Sequence, residues 1–88
     1  MNYTCPCCGY KTLTDQPPDT YDICAVCYWE DDGYQYENPA EEGGANGVSL
    51  KQAQENFLAF GACDKESLKF VRVLTEEDVK DQNFKPFK

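Results

Sequence analysis

The chain contains no histidine. That absence excludes conventional Ser–His and Cys–His nucleophile activation. A glycine-rich phosphate loop following a strand pattern is also missing, so the residues point away from an enzyme. No run of eighteen apolar residues occurs, and no membrane span is expected. The start Met1-Asn2-Tyr3-Thr4 is not a basic segment leading into an apolar one; no signal peptide is expected, and the expected compartment is the cytoplasm. Basic residues are scarce in one half only. Residues 1–50 hold nine acids (Asp15, Asp19, Asp22, Glu30, Asp31, Asp32, Glu37, Glu41, Glu42) and a single base, Lys11, whereas residues 51–88 hold seven of each sign. The formal charge of −8 therefore lies on the first half. Nucleic-acid binding by small metal modules relies on Lys and Arg that displace counterions from phosphates. This half would repel phosphates, so the expected partner is a protein, and a basic one.

At 88 residues the chain has room for one domain, spanning 1–88. It divides into a knuckle segment (1–37), an acidic, glycine-containing loop (38–48) and a helical and C-terminal part (49–88). A chain this short buries only about 60–65% of its unfolded surface, so a staple beyond the apolar core is expected.

What the sequence does contain is cysteine, six in all. Without export, disulfides are not the expected use, and thiolate ligands are. Cys5/Cys8 and Cys24/Cys27 are two Cys-x2-Cys pairs separated by the residues 9–23. Each such turn points two sulfurs at one ion, and two turns supply a closed tetrahedral site. A closed site offers no open position to substrate or water, which argues for structure and against hydrolysis. One Zn2+ is the expected ion. It contributes roughly 10–16 kcal/mol of apparent binding free energy, more than the roughly 5–15 kcal/mol net stability of a whole domain. Four sulfurs also accept iron. Cys7 stands beside Cys8, and either could serve as ligand. Gly9, free to take a positive φ, favours Cys8 and leaves Cys7 at the knuckle tip as a candidate redox thiol. Cys63 is unpaired and reads as a small buried hydrophobe.

The expected fold class is a small α+β domain in which a short antiparallel sheet carries both knuckles and packs against a helix. Tyr3-Thr4-Cys5 and Tyr10-Lys11-Thr12 read as strands flanking the first knuckle. Tyr21-Asp22-Ile23-Cys24 reads as a strand entering the second, and Tyr34-Gln35-Tyr36 alternates like another edge. Ser49 is an N-cap with Gln52 as its capping-box partner; Leu50, Ala53, Phe57 and Phe60 recur at helical spacing up to Gly61. Ser67 to Leu74 reads as a strand or extended packing segment. Thr75 with Asp78 offers a second capping box for a short helix over Glu76 to Asp81, and the tail with Phe84 and Phe87 reads as surface or loose packing.

Trp29-Glu30-Asp31-Asp32-Gly33 follows the second knuckle. Its acids lack the alternating spacing of a calcium loop. An exposed acidic turn is the expectation, with Trp29, Glu30, Asp31 and Asp32 as a candidate surface for a basic partner. Gly43-Gly44-Ala45-Asn46-Gly47 reads as a tight turn leading to the Ser49 cap.

Cys5-Pro6-Cys7-Cys8-Gly9-Tyr10, Trp29-Glu30-Asp31-Asp32-Gly33 and Gly43-Gly44-Ala45-Asn46 with Val48-Ser49-Leu50 together resemble the bacterial cysteine-rich CPCC family. The resemblance covers about residues 3–62 and leaves the region after Cys63 outside. It implies a cytoplasmic bacterial metal-binding module with Cys5, Cys8, Cys24 and Cys27 as ligands, and it marks Trp29, Asp31, Asp32 and Asn46 as further signature positions. The knuckles are also similar to those of rubredoxins, although Tyr28 stands where the second knuckle would have its glycine. Three functions follow as expectations: a zinc-stabilised protein-interaction module, an iron electron carrier, and a thiol redox sensor using Cys7.

Overall fold

In the computed structural model, which describes residues 2–86, two strands and two helices surround a core built largely of sulfur. β1 (Tyr3–Thr4) and β2 (Lys11–Leu13) pair antiparallel around the first knuckle, with Tyr3 opposite Leu13 and Thr4 opposite Lys11. The register slips between Tyr3 and Thr4, because the knuckle turn must close in the same few residues. The expected strand at Tyr21–Cys24 shrinks to one bridge, Ile23 to Glu30.

The two knuckles share a backbone plan. Cys5 N–H donates to Tyr10 O and Gly9 N–H to Cys5 O; in the same way Cys24 N–H donates to Trp29 O and Tyr28 N–H to Cys24 O, all at 2.7–2.9 Å. Gly9 has φ +80° and Tyr28 φ +69°. The left-handed turn costs glycine little and a tyrosine roughly 1–2 kcal/mol. Tyr28 offsets that cost by stacking on Phe70, ring centroids 5.0 Å apart at 23°.

Tyr34-Gln35-Tyr36 is helical, not a strand edge: α1 spans Gly33–Glu37. Asp32 decides this by capping, its side chain accepting from Tyr34 N–H. α2 spans Leu50–Phe60, capped by Ser49 and ended by Gly61 at φ +90°. Only half of the expected capping box forms. Ser49 Oγ accepts from Gln52 N–H, but the Gln52 side chain donates to Asn56 instead. α2 lays Leu50 and Ala53 into a buried cluster with Leu13, Val26, Trp29 and all six cysteines. Gln54 ties the helix to the first knuckle by donating to Pro6 O at 2.8 Å.

The C-terminal part departs most from expectation. Lys65–Lys69 form a 3-10 turn capped by Asp64, so the segment from Ser67 does not start as a strand. The chain then runs extended, with Arg72 N–H donating to Ala25 O. No helix forms over Glu76–Asp81. The Asp78 carboxylate does accept from Thr75 N–H, as a capping box requires, but Arg72 claims it too at 2.7 and 2.8 Å. Residues beyond it instead cross the first knuckle: Lys11 N–H donates to Val79 O, Lys80 bridges Tyr10, and Asp81 N–H donates to Gly9 O. Thr4 Oγ1 donates to Asp81 at 2.6 Å. Phe84 covers Gly9 so closely that a Cβ there would strike its ring. The tail up to that ring is therefore docked, while Phe87 lies outside the described residues.

A polar junction holds the middle of the chain. Asn46 Nδ2 donates to Glu30 O and Gln35 Oε1, its Oδ1 accepts from Glu30 N–H, and Gln35 Nε2 donates to Val48 O. Asp32 bonds across it to Ala45 N–H at 2.7 Å. Gly44 passes against Asp32 and Gln35 with no room for a Cβ. Replacing Asn46 by Ala strips partners from both backbone groups of Glu30. The expected loss is about 2–3 kcal/mol, measured by denaturant unfolding of metal-loaded protein, with Asn56→Ala, which strips a single backbone partner, Cys63 O, as a comparison expected to cost less.

Candidate metal centre

Cys5, Cys8, Cys24 and Cys27 converge. Their sulfurs all lie within 4.8 Å of one another, and all four residues are buried. Cys5 Sγ stands 3.6 Å from Cys27 Sγ, and Cys8 Sγ 3.7 Å from Cys24 Sγ. These separations are far too long for disulfides, whose S–S bond is about 2.05 Å, and all six cysteines are free. An ion held about 2.3 Å from four sulfurs in a tetrahedron sets S–S edges of about 3.8 Å. The donor set and its spacing thus fit a four-thiolate ion, and the group can hold a metal.

The electrostatics show what such an ion would relieve. Burial pushes the Cys5 and Cys27 thiols well above their usual range. The Cys27, Cys5 and Cys8 thiols, with the Thr12 hydroxyl, hold Cys24 far below its usual range. Negative charge gathers on one sulfur, and the low-dielectric surroundings resist adding more beside it. A divalent cation removes that opposition and lets the remaining protons leave. Thr12 Oγ1 lies 2.9 Å from Cys24 Sγ, and toward a thiolate the hydroxyl donates. Nothing in the sequence marked Thr12 for this role, since it looks like any strand residue.

The four-cysteine constellation and these knuckles match a family model described as Cysteine-rich CPCC over residues 3–78. The chain belongs to the cysteine-rich CPCC family. Among curated proteins none matches the chain. The family match runs past the span 3–62 carried by the motifs and takes in the region after Cys63 as far as residue 78. The structure gives the reason: Cys63 N–H donates to Cys27 O, and Arg72 N–H to Ala25 O, which fastens this region onto the second knuckle.

The other candidate residues fall differently in this CPCC protein. Cys7 is not an exposed knuckle tip. It is 2% exposed and packed in the core cluster, near enough to Cys27 to influence its thiol, because α2 and the region around Cys63 close over the turn. Nor do Trp29, Glu30, Asp31 and Asp32 form an exposed acidic surface. Trp29, Asp31 and Asp32 are buried and Glu30 is half-buried. Their carboxylates have been recruited as acceptors: Asp31 Oδ2 takes Thr20 N–H and Oγ1, and Asp32 takes Tyr34 N–H and Ala45 N–H. Asp31 Oδ1 alone among buried side-chain oxygens of the described residues has no partner. Asn46 and Gln35 complete the junction described above. Asn46 was visible as a signature position; Gln35, fully buried between two exposed tyrosines, was hidden by an alternation that imitates a strand.

Cys24→Ser is expected to abolish stoichiometric metal retention and leave the chain largely unfolded, read by metal analysis and circular dichroism. Cys7→Ser is expected to keep one ion per chain; loss of the ion in that variant would make Cys7 the ligand in place of Cys8. Burial also pushes the Cys63 thiol up to about 12 from an ordinary 9.0. A raised thiol stays protonated in the fold while the unfolded chain ionises, so its stabilising contribution is full below pH 9 and is lost as pH climbs toward 12. Cys63→Ala should therefore flatten the alkaline fall in stability across that window, measured by denaturant titration at a pH series against the parent.

Proposed function

We propose that this protein is a zinc-stabilised interaction module with no catalytic role of its own, whose acidic face binds a basic protein in the cytoplasm. The observation that carries the reading is the closure of the candidate centre. Four thiols at 0–2% exposure surround the position an ion would take, and a closed four-sulfur site supplies folding energy, not an open coordination position. Cys5, Cys8, Cys24 and Cys27 would hold the zinc, whose contribution is to neutralise the thiolates and fix the two knuckles.

With Trp29 to Asp32 inside, the binding face is formed by other acids. Asp15, Asp19, Glu37, Glu41 and Glu42 are exposed. Their field is felt locally, since the Asp19 carboxylate, with Asp32 and Glu30 behind it, raises the exposed Tyr21 hydroxyl above its ordinary value. Such a face speeds encounter with a basic partner and loses grip as salt rises.

A second reading, an iron electron carrier, is favoured by one contact. The Thr12 hydroxyl at Cys24 Sγ is the kind of hydrogen bond to sulfur that tunes the potential of an iron–thiolate centre.

Metal analysis of protein from its own host, with a visible spectrum, separates the two. One colourless zinc per chain supports the module; one iron with a red, reversibly bleached band makes the protein an electron carrier. For the module, capture of basic host proteins should weaken steeply between low and physiological salt and fall further when Glu41 and Glu42 are changed to Gln. Binding indifferent to both would count against the acidic face.

A further inference from the structure

We propose, independently of what the acidic face binds, that residues 71–74 form a strand edge on which a second copy of this chain pairs antiparallel, centred on Arg72. After the 3-10 turn the chain runs extended past the second knuckle, and Arg72 N–H donates inward to Ala25 O. In extended backbone, neighbouring residues turn their N–H and C=O groups to opposite sides. Those of Val71 and Val73 therefore point away from the knuckle. No described residue takes them up, except that Arg72 Nη1 reaches Val73 O at 3.3 Å. Val73 is 85% exposed, so this side of the segment is open. A row of unpaired backbone groups is a template for another strand.

The surroundings of this edge are apolar. Leu68, Phe70, Val73, Leu74 and Val79 supply five of the eleven large hydrophobic side chains exposed among the described residues. A groove of about 320 Å3 lies alongside, lined by Val26, Phe57, Phe60 and Leu68 with Val71 and Val73 themselves. Edges kept solitary carry free charges, bulges or prolines. The one charge within residues 71–74, Arg72, is committed to Asp78, to which it donates at 2.7 and 2.8 Å.

The order of charges selects a second copy as the occupant. Lys65 and Lys69 precede the edge, Glu76 and Glu77 follow it, and all four are exposed. An antiparallel copy centred on Arg72 sets Val71 opposite Val73 of the other chain, twice, and each pair exchanges both N–H···O bonds. The same two-fold axis brings Lys69 of each chain beside Thr75 and Glu76 of the other, so unlike charges meet at both ends. A parallel copy would set bases on bases and acids on acids. Lys69 is the deciding base, because Glu66 stands exposed beside Lys65. Its Nζ lies 5.3 Å from the Phe70 ring centroid, which keeps the charge at the edge. Asp64 is engaged by Ser67 N–H and Asp78 by Arg72; the latter pair mutes the repulsion where Arg72 faces its own copy.

An interface of a few backbone bonds and apolar side chains belongs to the weak class, below about 1,200 Å2. Sedimentation of the zinc-loaded full chain in low salt, where exposed charges are least screened, is expected to show dimers at concentrations on the order of 100 μM. Amide signals of residues 71–74 should shift with concentration. Val73→Pro removes an outward donor that the monomer does not use and should weaken the dimer at least about tenfold, with metal content and circular dichroism as in the parent. Lys69→Glu should weaken it as well, and adding Glu76→Lys to the same chain should restore it. A monomer up to about 1 mM, a dimer indifferent to Val73→Pro, or a charge exchange that restores nothing overturns the pairing. So do concentration-dependent shifts that map to Glu37, Glu41 and Glu42 instead. A chain that stays monomeric while a foreign strand-forming peptide shifts residues 71–74 gives the edge to another partner and equally overturns self-pairing.

Discussion

Four sulfurs are held within 4.8 Å of one another and sealed from water, and a cation among them would relieve the cost of ionising them there. As thiols they crowd; as thiolates they repel in a low dielectric. A bound ion would convert the opposition into a cross-link drawing together residues from positions 5 to 27. Six of the eleven residues of the buried cluster are cysteines, so little conventional apolar core remains to take over if the ion is lost. Leu13, Val26, Trp29, Leu50 and Ala53 pack around the sulfur cluster as a jacket, not as an independent core.

The second organising device is polar. From Asp31 to Val48 the chain is held by carboxylates and amides that satisfy backbone groups across the junction: Asp32 to Ala45, Asn46 to Glu30, Gln35 to Val48. Such a network is costly to break, because each lost partner leaves a buried polar group unmatched. It also fixes α1, a helix of five residues that has no claim to stability alone. The acids that looked like a surface for others are spent on holding this chain's own loops, and the outward charge belongs to different residues.

What the sequence revealed followed how local the governing physics is. The convergence of Cys5, Cys8, Cys24 and Cys27 was legible because Cys-x2-Cys turns are short and their chemistry is specific, and the α2 boundaries because Ser49 and Gly61 act within one turn. Tyr34-Gln35-Tyr36 misled, since a period of two over three residues cannot outweigh the Asp32 cap that sits just before them. The burial of Cys7 and of Trp29 to Asp32 depends on contacts with residues near 45, 54 and 63, which no local pattern announces. Thr75 and Asp78 show the opposite failure: the predicted hydrogen bond is there, but Arg72 diverts it into a turn.

The pairing of the tail with the first knuckle has a consequence in time. Synthesis delivers Cys5, Cys8, Cys24 and Cys27 before Val79 to Phe84, which close over Gly9 and Tyr10 and emerge roughly fifty residues after Cys27. At about 5–20 residues per second, these cysteines wait several seconds on the ribosome before their cover exists. An ion met in that interval would reach the four cysteines while the first knuckle is open, and the finished tail would cover that knuckle. Exchange of an ion held at the four sulfurs would then require Val79 to Phe84 to lift from Gly9 and Tyr10.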